Sequence, residues 1–169
     1  MNDRTEYRSG VGLVLLNRQG LVFMGRRRDE RPHPWQMPQG GLEPGEPPEH
    51  AVFRELREEL GTDHALIAGN RDDWLRYDYP SRHTSRRAHR YLGQQHRWFL
   101  LHFLGQDKDI NIHTSHAEFS DWAWHAPDQT AALAVPFKEA VYRQVLEGFA
   151  LLPATASPSC PSEKNISYL

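Results

Sequence analysis

The chain has almost no thiol chemistry: Cys160 is the only cysteine in 169 residues. That excludes a disulfide framework and a thiolate-rich metal site, and it fits a reducing compartment. Long apolar runs are also missing, with nothing near the ~18 residues that cross a bilayer. The opening MNDRTEYRSG lacks the apolar centre of a secretory signal, so a soluble cytoplasmic protein with no membrane partner is expected. There is no large charge excess, because the formal net charge is −2. Attraction to a polyanion would have to come from a local field. Neither a G-x-S-x-G nucleophile motif nor an internal repeat is present, so neither a covalent intermediate nor an organic cofactor is expected. The ten histidines include no i, i+4 pair, and His113 and His116 lie in a polar stretch, where surface histidines are the plain reading.

What is present is a mixed pattern over a length that suits one domain. Val11-Gly-Leu-Val-Leu-Leu16, the turn Asn17-Arg-Gln-Gly20 and Leu21-Val-Phe-Met24 predict a hairpin. Pro47-Pro48 suits a helix start and Gly61 its end. Residues 97–104 and 119–124 predict later strands, and residues 136–149 an amphipathic closing helix. Strands mixed with two helices predict a layered α/β domain over residues 1–152. Residues 153–169, rich in Pro and Ser, are expected to form a disordered tail.

The segment between Gln39 and Gly61, QGGLEPGEPPEHAVFRELREELG, carries the chemistry. On a helix turning about 100° per residue, Val52, Leu56 and Leu60 form one apolar stripe. Glu55, Glu58 and Glu59 cluster beside it at neighbour spacing, not on the far, solvated side. Arg54 is placed to pair with Glu58, which leaves Glu55 and Glu59 without a basic partner on the helix. A hard divalent cation would offset that repulsion. For the helix taken alone, a solvated acidic face is the alternative. The glycines of Gln39–Gly45 allow backbone to approach a ligand, and Glu46 stands where a carboxylate can hold the loop.

Gly40, Glu46, Arg54-Glu55-Leu56, Glu58-Glu59 and Gly61 match the Nudix box G-x5-E-x7-R-E-U-x-E-E-x-G-U at every spacing; only the final aliphatic position departs, at Thr62. The chain thus resembles the Nudix family, whose fold is an α/β/α sandwich with a mixed central sheet. Beyond the box, Tyr7-Arg8, Asn17–Gly20, Trp35–Gly41, Trp74–Tyr77, Gly93–Phe99, Glu118-Phe119 with Trp122 and Trp124, and Phe137-Lys138 with Val141–Arg143 are similar to its bacterial RNA pyrophosphohydrolases. These overlap in sequence with dinucleoside-polyphosphate hydrolases. The resemblance covers residues 6–150; the loop 28–34 and the tail lie outside it.

The resemblance implies hydrolysis of a pyrophosphate linkage with Mg²⁺ or Mn²⁺. Glu55, Glu58, Glu59 and the carbonyl of Gly40 or Gly41 would be metal ligands, with Glu118 supplying another carboxylate. Arg54 would orient the acids and Glu46 anchor the loop. Glu55 is favoured as base or as ligand of the water-bearing metal, with Glu118 as rival. Arg8 and Arg27 match positions that face the 5′ end of the substrate. Phe137 matches one where an aromatic stacks on a base, although a core aromatic at a helix start reads the same way.

The residues between Asp78 and Asp107 include no acid but hold Arg82, Arg86, Arg87, Arg90, Arg97 and four histidines. This local positive field suits a polyanion chain, and Arg86 and Arg87 are candidate substrate contacts. A solvated basic loop is the alternative. The leading expectation is an enzyme acting on 5′-triphosphorylated RNA, with DNA not expected. A dinucleoside-polyphosphate hydrolase is the nearest rival, and a non-catalytic nucleotide-binding module the distant one.

Overall fold

The computed structural model describes residues 6–29, 34–80 and 90–153. A mixed sheet forms the middle layer. Its main path runs β3 (Trp35–Gln36), β2 (Val22–Arg27), β1 (Tyr7–Leu16), β7 (Gly93–Phe103) and β5 (Ala65–Asn70). Three further strands attach to this path: β4 (Gln39–Gly41) on β1, β6 (Leu75–Asp78) on β7 and β8 (Phe119–His125) on β2. Strands β1 and β7 run parallel in unbroken register from Tyr7↔Gly93 to Leu16↔His102, while the other pairs are antiparallel.

Helices cover both faces. Helix α1 (Pro48–Leu60) lies on one; α2 (Pro127–Leu133) and α3 (Pro136–Gly148) lie on the other. This explains the continuous apolar run in β1. A strand covered on both sides loses the polar alternation of a half-exposed one. Val11, Leu13 and Leu15 join Val52, Leu56 and Leu60 of α1. Val14 and Leu16 join Val141, Tyr142, Val145 and Leu146 of α3. The α/β/α expectation therefore holds.

The hairpin forms as predicted: the Asn17 side chain accepts from the backbone N–H groups of Gln19 and Leu21, and Gly20 takes φ +75°. Helix α1 starts at Pro48 and ends where Gly61 turns left-handed, its N–H donating to the Arg57 carbonyl. Thr62 is half-buried and its hydroxyl accepts from the His64 N–H, a local turn that no aliphatic residue would make.

Two readings need correction. Gln39–Gly41 is a strand on β1, not loop. It packs that closely because a side chain at Gly10 would stand 2.3 Å from the Gly40 carbonyl oxygen. The described residues also hold three α-helices, not two, since the short α2 precedes α3. Among the described residues no helix is long and apolar enough to cross a membrane. Apart from Pro153, the Pro/Ser-rich segment lies outside the described residues.

Candidate active site

Helix α1 presents its apolar stripe to the sheet and carries two glutamates inward with it. Glu55 is 6% exposed and Glu59 1%. Arg54 organises the rim. Its Nε and Nη2 donate to the two Glu46 oxygens at 2.8 and 2.9 Å, and Nη2 also donates to the Gly41 carbonyl at 2.8 Å. Its Nη1 donates to Glu55 at 2.7 Å and to Glu58 at 3.4 Å. Arg54 thus grips Glu55 more closely than Glu58, the reverse of the spacing argument. A long side chain can reach an adjacent residue at a helix edge where i, i+4 geometry alone does not place it. Glu46 in turn accepts from the Glu43 N–H at 2.9 Å, closing the loop before α1.

The charges respond to this packing. The Arg54 hydrogen bond holds Glu46 below the usual carboxylate range, and Arg54 itself is held firmly protonated, chiefly by Glu46. Burial raises Glu55, with Glu58 and Glu118 adding to the rise and Arg54 opposing it. Burial pushes Glu59 up furthest, and the nearby Glu118 and Glu55 carboxylates push the same way. No donor among the described residues reaches either Glu59 oxygen.

Glu118 precedes β8, where the Arg28 N–H donates to its carbonyl at 3.2 Å. The β2–β8 register shifts between Arg26 and Arg27, and such a bulge re-aims side chains. Arg27 Nη1 lies 3.7 Å from Glu118 and 3.4 Å from the Gln36 side-chain oxygen. That same oxygen accepts from Lys138 Nζ at 2.9 Å. Lys138 is 6% exposed and sits over the Tyr77 ring. It is the functional candidate that the sequence reading did not single out, although it follows Phe137 directly. Arg8 lies against Gly41, where an added Cβ would meet its Nη2 at 2.2 Å.

The structure therefore brings Gly40, Glu46, Arg54, Glu55, Glu58, Glu59, Glu118 and Arg27 to one end of the sheet. Phe137 sits apart from the glutamates, half-buried on the α3 side with its ring 5.5 Å from Tyr77. Arg86 and Arg87 lie outside the described residues.

The NUDIX domain model matches residues 6–146. The chain belongs to the Nudix family. A Rhodospirillum rubrum protein named RNA pyrophosphohydrolase is 50% identical over 149 residues, which is 86% of this chain and 90% of that one. A Wolbachia pipientis protein of the same name is 46% identical over 151 residues, 88% of this chain and 93% of that one. Among solved structures, a C. elegans Ap4A hydrolase binary complex shares the fold, with a TM-score of 0.58 at 20% identity over 83% of this chain and 98% of that one.

Nudix hydrolases generally use divalent cations, and the residues of this Nudix domain fit such a group. The donor set is hard carboxylate oxygen, the type Mg²⁺ and Mn²⁺ take. Both Glu59 oxygens are buried with no donor among the described residues. Gly40 leaves room that no other residue would: a Cβ there would stand 1.9 Å from the Glu55 carboxyl carbon. Among the described residues no group of three or more His, Cys, Asp or Glu is gathered tightly enough to hold an ion by itself. Mg²⁺ sites are commonly completed by water and substrate phosphate.

Proposed function

We propose that this Nudix domain is a divalent-cation-dependent RNA pyrophosphohydrolase. It removes pyrophosphate from the 5′-triphosphate end of RNA and leaves a 5′-monophosphate, the step that opens an RNA to decay in the cytoplasm. The relatives bearing that name, at 50% and 46% identity over most of the chain, support the reading. The observation that carries it is the junction of two poles. Buried carboxylates on α1 meet buried cations through the Glu118–Arg27 and Arg27–Gln36–Lys138 contacts. A terminus bearing several phosphates would engage both poles at once.

In this reading Glu55, Glu58, Glu59, Glu118 and the Gly40 carbonyl hold Mg²⁺ or Mn²⁺. Arg54 already occupies the Gly41 carbonyl, the other candidate. Bound divalent cations neutralise phosphate charge and acidify water. Glu55, whose pKa burial raises, is suited to take up a proton; Glu118 is the rival for that role. Arg54 fixes the orientation of Glu55, and Glu46 fixes Arg54. Arg8, Arg27 and Lys138 receive phosphate oxygens, and Phe137 offers a ring to the first bases. Arg86 and Arg87 add positive charge for the RNA chain.

The test is a rate comparison with Mg²⁺ between a short 5′-triphosphate RNA with an unpaired end and diadenosine tetraphosphate. Faster conversion of the RNA to its monophosphate at low substrate is expected. A clear win for the dinucleotide would make the protein a small-molecule hydrolase with the same glutamate platform.

A further inference from the structure

The loop after β2 falls outside the residues that carry the family resemblance, and its Asp29 sits on Arg27, a largely buried cation of the site. Asp29 accepts from Arg27 Nε at 2.8 Å and from Nη2 at 2.6 Å, a two-pronged grip on one edge of the guanidinium. Arg27 is 11% exposed, whereas Asp29 is 61% exposed. The other terminal nitrogen, Nη1, faces Gln36 and Glu118.

The two partners are unequal. Arg27 is nearly out of water, so an uncompensated charge there is costly. Asp29 stands in water, so turning away loses little, as with any exposed half of an ion pair. A carboxylate gripping a guanidinium through two parallel bonds also uses the geometry that a phosphate uses. Nothing in the hydrolytic chemistry calls for this acid, and a negative charge at the entry of a polyanion site opposes the substrate.

From this we infer that Asp29 is a displaceable stand-in for a substrate phosphate on Arg27, and so sets how many phosphates a 5′ end needs to be held. The inference rests on Arg27 being a phosphate contact. With Asp29 in place, Arg27 stays neutralised and oriented between turnovers. An end rich in phosphate charge displaces the carboxylate, and the monophosphate product, with less charge, competes poorly. Asp29 is thus a specificity-determining residue that favours triphosphate over monophosphate and speeds clearance of product.

The test uses the full chain and the variants Asp29→Ala, Arg27→Gln and the double variant. Binding of inorganic tripolyphosphate is measured calorimetrically without metal, and KM and inhibition by 5′-monophosphate RNA are measured with Mg²⁺. Asp29→Ala is expected to tighten tripolyphosphate binding and lower KM several-fold. It should strengthen product inhibition by a larger factor and leave the chemical step unaltered. In the Arg27→Gln background removal of Asp29 should change nothing, because the two act as a coupled pair. If Arg27→Gln weakens binding but Asp29→Ala leaves it unchanged or weaker, Asp29 is a support for Arg27 and the stand-in role is overturned while the Arg27 reading stands. If Arg27→Gln itself leaves binding intact, the Arg27 reading falls and the Asp29 role falls with it.

Discussion

The two faces of the sheet bury charge in opposite ways. On the α1 face, Glu55 and Glu59 enter the core edge, Arg54 serves Glu46, Glu55 and Glu58, and no donor among the described residues reaches Glu59. On the α3 face, Lys138 is buried with its ammonium on the Gln36 amide oxygen and over the Tyr77 ring. Among the described residues the two poles approach each other where Arg27 lies 3.7 Å from Glu118. A buried carboxylate that no donor among the described residues reaches, as at Glu59, is unfavourable. Its place beside the meeting of the two poles suits the function proposed above, with a cation for the acids and phosphate for the bases.

The strongest way to break this comparison is to disarm the acidic face. Glu55→Gln should lower turnover by about 10²–10⁴-fold, the usual scale for losing a proton-transfer group, with circular dichroism unchanged. Gly40→Ala should do nearly as much without touching a carboxylate, because the new methyl would collide with the Glu55 carboxyl group. Full activity in Gly40→Ala would show that Glu55 need not sit where the structure puts it.

Glu59→Gln sharpens the contrast through stability. Burial raises the Glu59 pKa well above its ordinary value of 4.5. As pH rises past that value the unfolded chain releases its proton while the folded chain retains it, so metal-free protein loses stability toward neutral pH. The amide should therefore stabilise the metal-free protein at pH 7 by about 1–3 kcal/mol and remove the stabilisation that added Mg²⁺ gives. Melting curves with and without metal read both effects. A variant less stable than its parent without metal would mean that the Glu59 charge is compensated after all.

On the opposite face, Lys138→Met should leave the fold intact. The Gln36 oxygen retains the Arg27 contact at 3.4 Å, and the thioether chain keeps most of the packing on Tyr77. KM for a triphosphate end should rise about tenfold or more, the value of one charge-assisted hydrogen bond. An unchanged KM would place the phosphate elsewhere.

How much of this was legible in the sequence differs between the faces for a physical reason. The acidic pole is local. Proline at the start of α1, glycine at its end and glutamates spaced along one turn fix its register before any tertiary contact forms, and the predicted boundaries agree with Pro48–Leu60. The basic pole is assembled from Arg27, Gln36 and Lys138, which meet only when α3 packs on the sheet. No periodicity marks such a meeting. Strand β5 was missed because its outward Leu66 is 57% exposed, so apolar residues point both ways and the alternation is hidden. Arg54 preferring Glu55 also escaped the spacing rule, because a side chain's reach is decided by what holds its far end, here Glu46 and Gly41.

The smallest effect belongs to a group that touches neither pole directly. His96 is fully buried between Tyr77 and Trp98, and among the described residues its Nδ1 has no hydrogen-bond partner. Burial first, then the positive charges of Lys138 and Arg8, drive its pKa from 6.5 down to about 3. Below pH 6.5 the unfolded chain takes up a proton that the folded chain refuses. The stability that depends on a neutral His96 is complete above pH 6.5 and declines by about 1.4 kcal/mol per pH unit as acid is added, until the folded pKa is reached. His96→Phe keeps a ring between the same two neighbours and cannot titrate. Its denaturation midpoint in urea should match the parent near pH 7.5 and exceed it at pH 5.5, by an amount worth about 1.4 kcal/mol. Parallel acid profiles for the two proteins would show that the histidine is protonated inside the fold. The cations around it would then lie too far away to act as one positive pole.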